Sequence, residues 1–408
     1  MTPRQRARLA DVVLLADTGV WGEDPSGGDG GVPVLRSTNI DDYTLDLSDA
    51  AFRRLRTAAL VDKRLASGDI LVTTSSGSPQ HLGKCCLFLD PQDGHKYYFS
   101  NFTLRLRPDV SRIEPRWLFY WLSSSVGRRT LLGLDSTTSG LRNLNRGRYL
   151  SQSVPLPALP EQRRIAALLD KADAIRRKRQ QAIRLGDDLL RSAFLDMFGD
   201  PVSNPRRWPT MSIGEVAAEK GAIVDGPFGS SLKPECYVDQ GVTVVRNFNI
   251  LDDSFDGSAF KYVTPSKFEQ IRRSEVRPGD VVLSTKGTIG NVCLMPDLGG
   301  LAVLSASGTV RIRAPHQGLV RPQFLVSQMI NSRYKRYLRG LEAGSNQKYL
   351  NLAAIRSARL VVPPLELQDR FLVIRQRVRS TGIRLDAGRT SCDVLFESLV
   401  HRAFCSDL

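Results

Sequence analysis

The chain has 408 residues, 41% apolar and 24% charged, enough for two or three domains that each bury a core. Its formal net charge of +15 would attract a polyanion, with nucleic acid the leading candidate. No apolar run reaches the ~20 residues of a membrane span, and Asp11 and Asp17 interrupt what an export signal at the basic N-terminus would need, so a cytoplasmic chain is expected.

Read from the N-terminus, short β-branched and aliphatic runs come first. "VPVLR", "DILVTT", "CCLFLD" and "FTLRLR" read as strands broken by Gly, Pro, Asn and Asp. A helical stretch, "EPRWLFYWLSSSVGRRTLL", follows. Then comes a proline-rich hinge and one long helix from Pro157 to Phe194, with prolines only at its start. After it the same series begins again, with "VTVVRN", "DVVLST", "VCLMP" and "TVRIR" as strands, "RPQFLVSQMINSRYKRYLRGL" as helix, and a second hinge and long helix.

The two series match block by block. "LADV" (Leu9 to Val12) answers "IGEV" (Ile213 to Val216), and "GVPVLRSTNI" (Gly31 to Ile40) answers "GVTVVRNFNI" (Gly241 to Ile250). "GDILVTT" answers "GDVVLST", "GKCCLF" answers "GNVCLM", and "TLRLR" answers "TVRIR". Leu144-Asn145 answers Leu350-Asn351, and "PALPEQ" answers "PPLELQ". The offset stays between 204 and 211 with order kept, so a whole domain has been duplicated.

The duplication supplies the long helix with a partner. Ile165, Leu168, Ala172, Ile175, Ala182, Leu189 and Ala193 fall at steps of three and four, and the same register in the second helix holds Phe371, Ile374, Val378, Leu385, Leu395 and Leu399. Arg179, Gly186, Thr381 and Gly388 interrupt the seam near its middle. About 35 residues at ~1.5 Å each make ~50 Å, longer than a small domain is wide. Two similar halves related by a pseudo-two-fold axis would run these helices antiparallel. An ordinary amphipathic helix docked on its own domain is the alternative.

Catalytic signatures are missing. An adenine methylase should show a glycine-rich cofactor turn and a [DN]PP[YF] loop, and the sequence has neither. "GSPQHLGKC" fails as a phosphate loop in glycine spacing and in Cys85, which stands where a magnesium-holding hydroxyl belongs. The histidines (His81, His95, His316, His401) are too scattered for zinc, so no metal site is expected. Six cysteines without a CxxC pair read as reduced thiols, with Cys86 and Cys293 packed in matching strands.

The ordered set "PLPALPEQRRIAALLDKADAIRRKR", "DGPFGSSLK", "VVRNFNI", "GDVVLSTKGTIGNV" and "GSNQKYLNLAAI", running into "VVPPLELQ", resembles the specificity (S) subunit of type I restriction–modification systems over nearly the whole chain. The resemblance implies an α/β fold class: two α/β target recognition domains in tandem repeat, separated by two long helices packed as an antiparallel coiled coil with pseudo-two-fold symmetry. On that plan, residues 1–156 form recognition domain 1, 157–199 spacer helix 1, 200–362 recognition domain 2 and 363–408 spacer helix 2. Each domain reads one half of a bipartite site in double-stranded DNA, and the helices set the spacing and dock two modification (methyltransferase) subunits. The chain itself is not an enzyme and holds no cofactor. S-adenosylmethionine belongs to the modification subunit, and ATP and Mg to restriction subunits that join as translocase and nuclease. Two departures stand out: the first half lacks a clear match to "GPFGSSLK", its nearest stretch being "DTGVWGEDPSGGDGG", and "ELQDRFLVIRQ" replaces "PEQRRIAALLD" in the second helix.

Candidate DNA contacts come from polar residues in glycine-bounded loops. In the first domain they are Arg36, Ser37, Asn39, Ser75, Ser76, Arg142, Asn143 and Arg146. In the second they are Ser230, Ser231, Lys233, Arg246, Asn247, Asn249, Lys286, Thr288, Gln347 and Lys348. Asn and Ser in such loops also commonly serve the turn itself. The residues leave other readings open: a nuclease with unrecognised motifs, a specificity subunit of a methylation-only or other defence complex, and a coiled-coil protein scaffold without DNA binding.

Overall fold

The computed structural model describes residues 5–25, 30–41, 44–77, 81–129, 135–138, 141–217, 219–306, 308–313, 318–344 and 348–405. The chain divides into two compact units, one of Met1–Gln181 with Asp386–Leu408, the other of Ala182–Leu385. Among the helices that line the cores are α1 (Pro115–Ser123), α2 (Leu159–Phe198), α3 (Pro322–Met329) and α4 (Leu365–Cys405). The division passes through α2 and α4, so each unit owns part of both.

The first unit is built on an antiparallel sheet ordered Val13–Thr18, Thr103–Pro108, Ile70–Thr73, Cys85–Leu87. A second sheet runs Val32–Leu35 between Tyr98–Phe99, which is parallel to it, and Ala51–Arg53, which is antiparallel. Arg6–Arg8 pairs with Ser153–Pro155 and ties the start of the domain to its end. The second unit repeats this plan: Ile223–Asp225, Thr309–Ile312, Val281–Ser284, Val292–Leu294 in one sheet, and Val242–Val245 beside the parallel Ala302–Leu304 in the other. Thr210–Ser212 closes on Arg359–Val361. Both units therefore mix helix and sheet in the order the repeat predicts.

Each core is completed by the long helices. In the first unit Ile165 and Leu169 of α2, and Phe396, Val400 and Phe404 of α4, are buried with Trp117 and Tyr120 of α1. The Trp117 and Phe404 rings lie 4.7 Å apart. In the second unit Phe194 and Phe198 of α2 meet Phe371 of α4 and Phe324 of α3, with centroids 4.8 to 6.4 Å apart. Each buried aromatic contributes about 1.5–3 kcal/mol.

Within each unit the helix segments run antiparallel. Arg176 lies over Phe396 at 4.9 Å, and Arg179, further along α2, meets Gly388, earlier in α4. In the second unit Gly186 faces Val378, while Phe194 faces Phe371. The mid-helix glycines, which the sequence suggests are weak points, are where the opposing side chain fits: a Cβ at Gly388 would overlap the Arg179 guanidinium.

The seam differs from the one spaced out by apolar residues alone. Ile165 and Phe371 are buried on it and Ala172, Val378 and Leu385 are half-buried, but Leu168, Ile175, Leu189, Ile374 and Leu395 are exposed. At alternate steps the buried line moves on by one residue, to Leu169, Arg176 and Leu190 in α2 and to Arg375 and Phe396 in α4. Arginine stems cover apolar surface while their heads find partners, so hydropathy misjudges which residues face inward. Asp173, buried in the first unit, pairs with Arg176 at 2.8 Å.

The repeated polar residues are locks. Gln162 and Gln368 are fully buried. The Gln162 amide oxygen accepts from Glu114 N (2.8 Å) and its nitrogen donates to the carbonyls of Pro157 (2.8 Å) and Arg112 (3.2 Å). Gln368 does the same with Arg321 N (2.9 Å) and the carbonyls of Pro363 and Leu319 (both 2.8 Å). Gln162 therefore fastens the start of α2 to the start of α1, and Gln368 the start of α4 to the start of α3. Arg107 forks onto Asp69 at 2.7 Å, as Arg313 does onto Asp280 at 2.7 and 2.6 Å. Arg105, buried, forks onto Asp17 at 2.9 Å; burial pushes the Asp17 carboxyl up, but Arg105 and Lys63 outweigh it and hold it below the usual carboxylate range.

Gln368→Ala strands a buried N–H and two carbonyls. It is expected to lower unfolding free energy by about 3 kcal/mol, read by denaturant titration of the full chain; a loss below about 0.5 kcal/mol would show the lock to be dispensable.

Candidate nucleic-acid interface

In the second unit three loops converge. Thr285 follows the strand Val281–Ser284, and its N–H donates to Gly308 O (2.8 Å) while its carbonyl accepts from Leu350 N (3.1 Å). Lys286 follows, its Nζ 5.6 Å from the Tyr349 ring. The Asn247 amide donates to Lys286 O at 3.4 Å. Gly287 and Gly290 hold φ of +72° and +89°, which a side chain rarely adopts, so the turn after Lys286 needs glycine at both places. The exposed Thr288 meets Ser284 through their hydroxyls at 3.0 Å. Lys286, Asn247, Thr288 and the exposed Lys348, whose partner Glu342 is 3.9 Å away, thus belong to one rim.

Ser230, Ser231 and Lys233 lie on the neighbouring loop, with Ser230 and Lys233 exposed. Gly226 starts that loop against Ser305 and Thr309, where a Cβ would overlap Ser305 O. Gly19 has the same constraint against Phe99 O. Thus "TGVW" is the counterpart of "DGPF" in the fold, residue for residue, although the two share only the glycine. Phe228 is 76% exposed, whereas its counterpart Trp21 is half-buried under Arg53, 4.4 Å from the ring.

The first unit forms an equivalent rim with other parts. Leu144 N donates to Thr74 O at 2.8 Å, as Leu350 does to Thr285. Ser75 and Ser76 pair with Asn143 and Arg142 in a small sheet with Asp135–Thr138. Of Arg142 only the backbone is described, and Gln347 lies outside the described residues. Arg146, exposed, donates to Ala16 O.

Asn39 and Asn249 stand apart from the other candidates. They are 1% and 0% exposed. The Asn39 amide accepts from Arg36 N (2.8 Å) and donates to the Asp46 and Asp49 carbonyls (3.1 Å each). Asn249 accepts from Arg246 N (3.0 Å) and donates to the Asp256 (2.8 Å) and Ser258 (3.2 Å) carbonyls. Both side chains are consumed in holding their loops and face no ligand. Arg36 and Arg246 are half-buried and donate inward to Asp49 and to Ala259 O, while Ser37 and Asn247 sit at the surface turn. Phe248 and Tyr349, both 37% exposed, are absent from the sequence candidates, which are all polar.

The rim offers cations, amides and aromatic rings rather than an activated nucleophile. Cys86 and Cys293 are buried, and burial pushes the Cys293 thiol up to about 12 and Cys86 well above its usual value. Among the described residues no group of three or more His, Cys, Asp and Glu could hold a metal, and no helix is long and apolar enough to cross a membrane.

Comparison with known proteins agrees with this picture. Residues 53–185 match the family model of the type I restriction modification DNA specificity domain. The EcoKI type I restriction enzyme specificity subunit of Escherichia coli is 28% identical over 173 residues, 41% of this chain and 37% of that protein's length. The StySPI specificity subunit of Salmonella potsdam is 22% identical over 401 residues, 92% of this chain and 82% of the relative. The type I S subunit structure from M. genitalium shares the fold with a TM-score of 0.60 at 13% identity, covering 98% of this chain and 96% of that one.

Asn249→Ala is expected to destabilise the second unit by about 2–3 kcal/mol through the unpaired carbonyls and N–H it leaves, while Lys348→Ala leaves stability within about 0.5 kcal/mol. Thermal unfolding of both variants checks the contrast, which equal losses would overturn.

Proposed function

We propose that the chain is a specificity subunit of a type I restriction–modification system, like the proteins it resembles, and that each unit reads one half of a bipartite site in double-stranded DNA. The observation that carries this reading is the pair of equivalent rims, built at the same place on a duplicated scaffold from different side chains. A shared scaffold with different displays suits two readers of different sequences. Lys286, Lys233 and Arg146 supply charge for phosphates, which position the protein, while amides and rings supply contacts to base edges, which specify.

The two long helices, of 40 and 41 residues, set the interval between half-sites. They also dock two modification subunits, which carry S-adenosylmethionine and methylate adenine. Supporting this, Leu168, Ile175, Leu185, Leu189, Ile383 and Leu395 remain exposed on the helices, more apolar surface than an isolated solvent-facing helix needs. Restriction subunits using ATP and Mg would join the same assembly to cut. The chain itself contributes recognition and assembly, not catalysis, in the cytoplasm.

Exchanging residues 207–360 for the corresponding domain of another specificity subunit should change one half of the methylated sequence and leave the other intact. Sequencing of methylated DNA reads this out, and a change in both halves would end the two-reader proposal. Leu185→Glu with Leu189→Glu should leave the thermal midpoint unchanged while at least tenfold less methyltransferase copurifies; undiminished copurification would remove this face from the docking surface.

A further inference from the structure

The turns Arg36–Asn39 and Arg246–Asn249 are the same device. In each, the Asn side chain accepts from the Arg backbone N–H three residues earlier and donates to two carbonyls of the following loop. In each, the carbonyl of that Asn accepts a backbone N–H at 2.8 Å, from Asp46 or Asp256. In each, the Arg guanidinium is turned inward to a backbone carbonyl, Asp49 O or Ala259 O. None of these bonds uses the side chain of the third residue of the turn. It is Thr38 in one unit and Phe248 in the other, both exposed.

We propose that Phe248 is a specificity-determining contact of the second unit and takes the C5-methyl group of a thymine in the major groove. The inference rests on the DNA-reading function proposed above and goes further by naming the group read. Phe248 has no donor or acceptor, so it discriminates only by apolar contact, and among base edges in the major groove only thymine presents a methyl. The ring is held rather than loose: the Arg246 guanidinium lies over it, 4.0 Å from the centroid, on the side of the locked turn. Asn247 beside it bonds the backbone of Lys286, so the ring sits on the same rim as the cation at the candidate interface. A held apolar group next to a phosphate-seeking lysine is the arrangement that a methyl contact requires. Thr38, with both a methyl and a hydroxyl on the same socket, gives the first unit a different reading chemistry.

The test starts from the full chain copurified with its methyltransferase. A preferred duplex is selected from a random library, and each thymine of the second half-site is replaced in turn by deoxyuridine, which lacks only the methyl. In the natural protein one such replacement is expected to weaken binding about fourfold, the worth of one buried methyl-sized group. Phe248→Ala should keep the thermal midpoint, bind the selected duplex more weakly, and no longer distinguish thymine from deoxyuridine there. Responses to replacement in the first half-site should stay unchanged. Discrimination that persists in Phe248→Ala, or a natural protein indifferent to every replacement in the second half-site, overturns the assignment to Phe248. A natural protein that selects no sequence at all overturns the DNA-reading function itself, a separate outcome.

Discussion

Aromatic side chains on the two long helices close the core of each unit. In one, Phe396 and Phe404 of α4 complete the cluster around Trp117; in the other, Phe194 and Phe198 of α2 meet Phe371 and Phe324. Helices of this length with glycines at mid-span are marginal by themselves, since most helical stability comes from packing an apolar face. The units supply that packing, and the helices in turn supply the last wall of each core. Folding of the units and of the long helices is thereby coupled.

The polar skeleton arises from the same burial. A carboxylate or guanidinium held away from water is costly unless paired, so Arg107 with Asp69 and Arg313 with Asp280 recur as matched forks. The buried Gln162 and Gln368 satisfy the backbone where a hinge turns into a helix, which explains why "PALPEQ" and "PPLELQ" survive as matching blocks. The units differ in how they meet the constraint at one matching, buried arginine. Arg105 is charge-paired with Asp17, whereas its counterpart Arg311 donates to the carbonyls of Gly221 and Glu275.

A fixed socket with a changeable outward residue is an economical way to vary recognition. The locked asparagine turns hold backbone geometry irrespective of the residue they present, so Thr38 and Phe248 can differ without disturbing what lies beneath. The glycine turn after Lys286 extends the same logic to the rest of the rim. Under the proposed function, recognition lives in surface side chains and stability in buried ones.

The duplication, the order of strands and helices in each half, and the existence of two long helices were all legible in the amino-acid order, because these depend on local patterning and on matches between distant blocks. So were the buried thiols, since Cys86 and Cys293 occupy equivalent places in apolar strands. Which helix residues face inward was settled by packing in three dimensions: arginine stems at Arg176 and Arg375 displaced the apolar Ile175 and Ile374 from the seam, a result of reach and partner that hydropathy does not encode. Packing likewise reversed the roles in "RNFNI", burying the polar Asn249 and leaving the apolar Phe248 at the surface, because the tight turn needs an amide to satisfy three backbone groups.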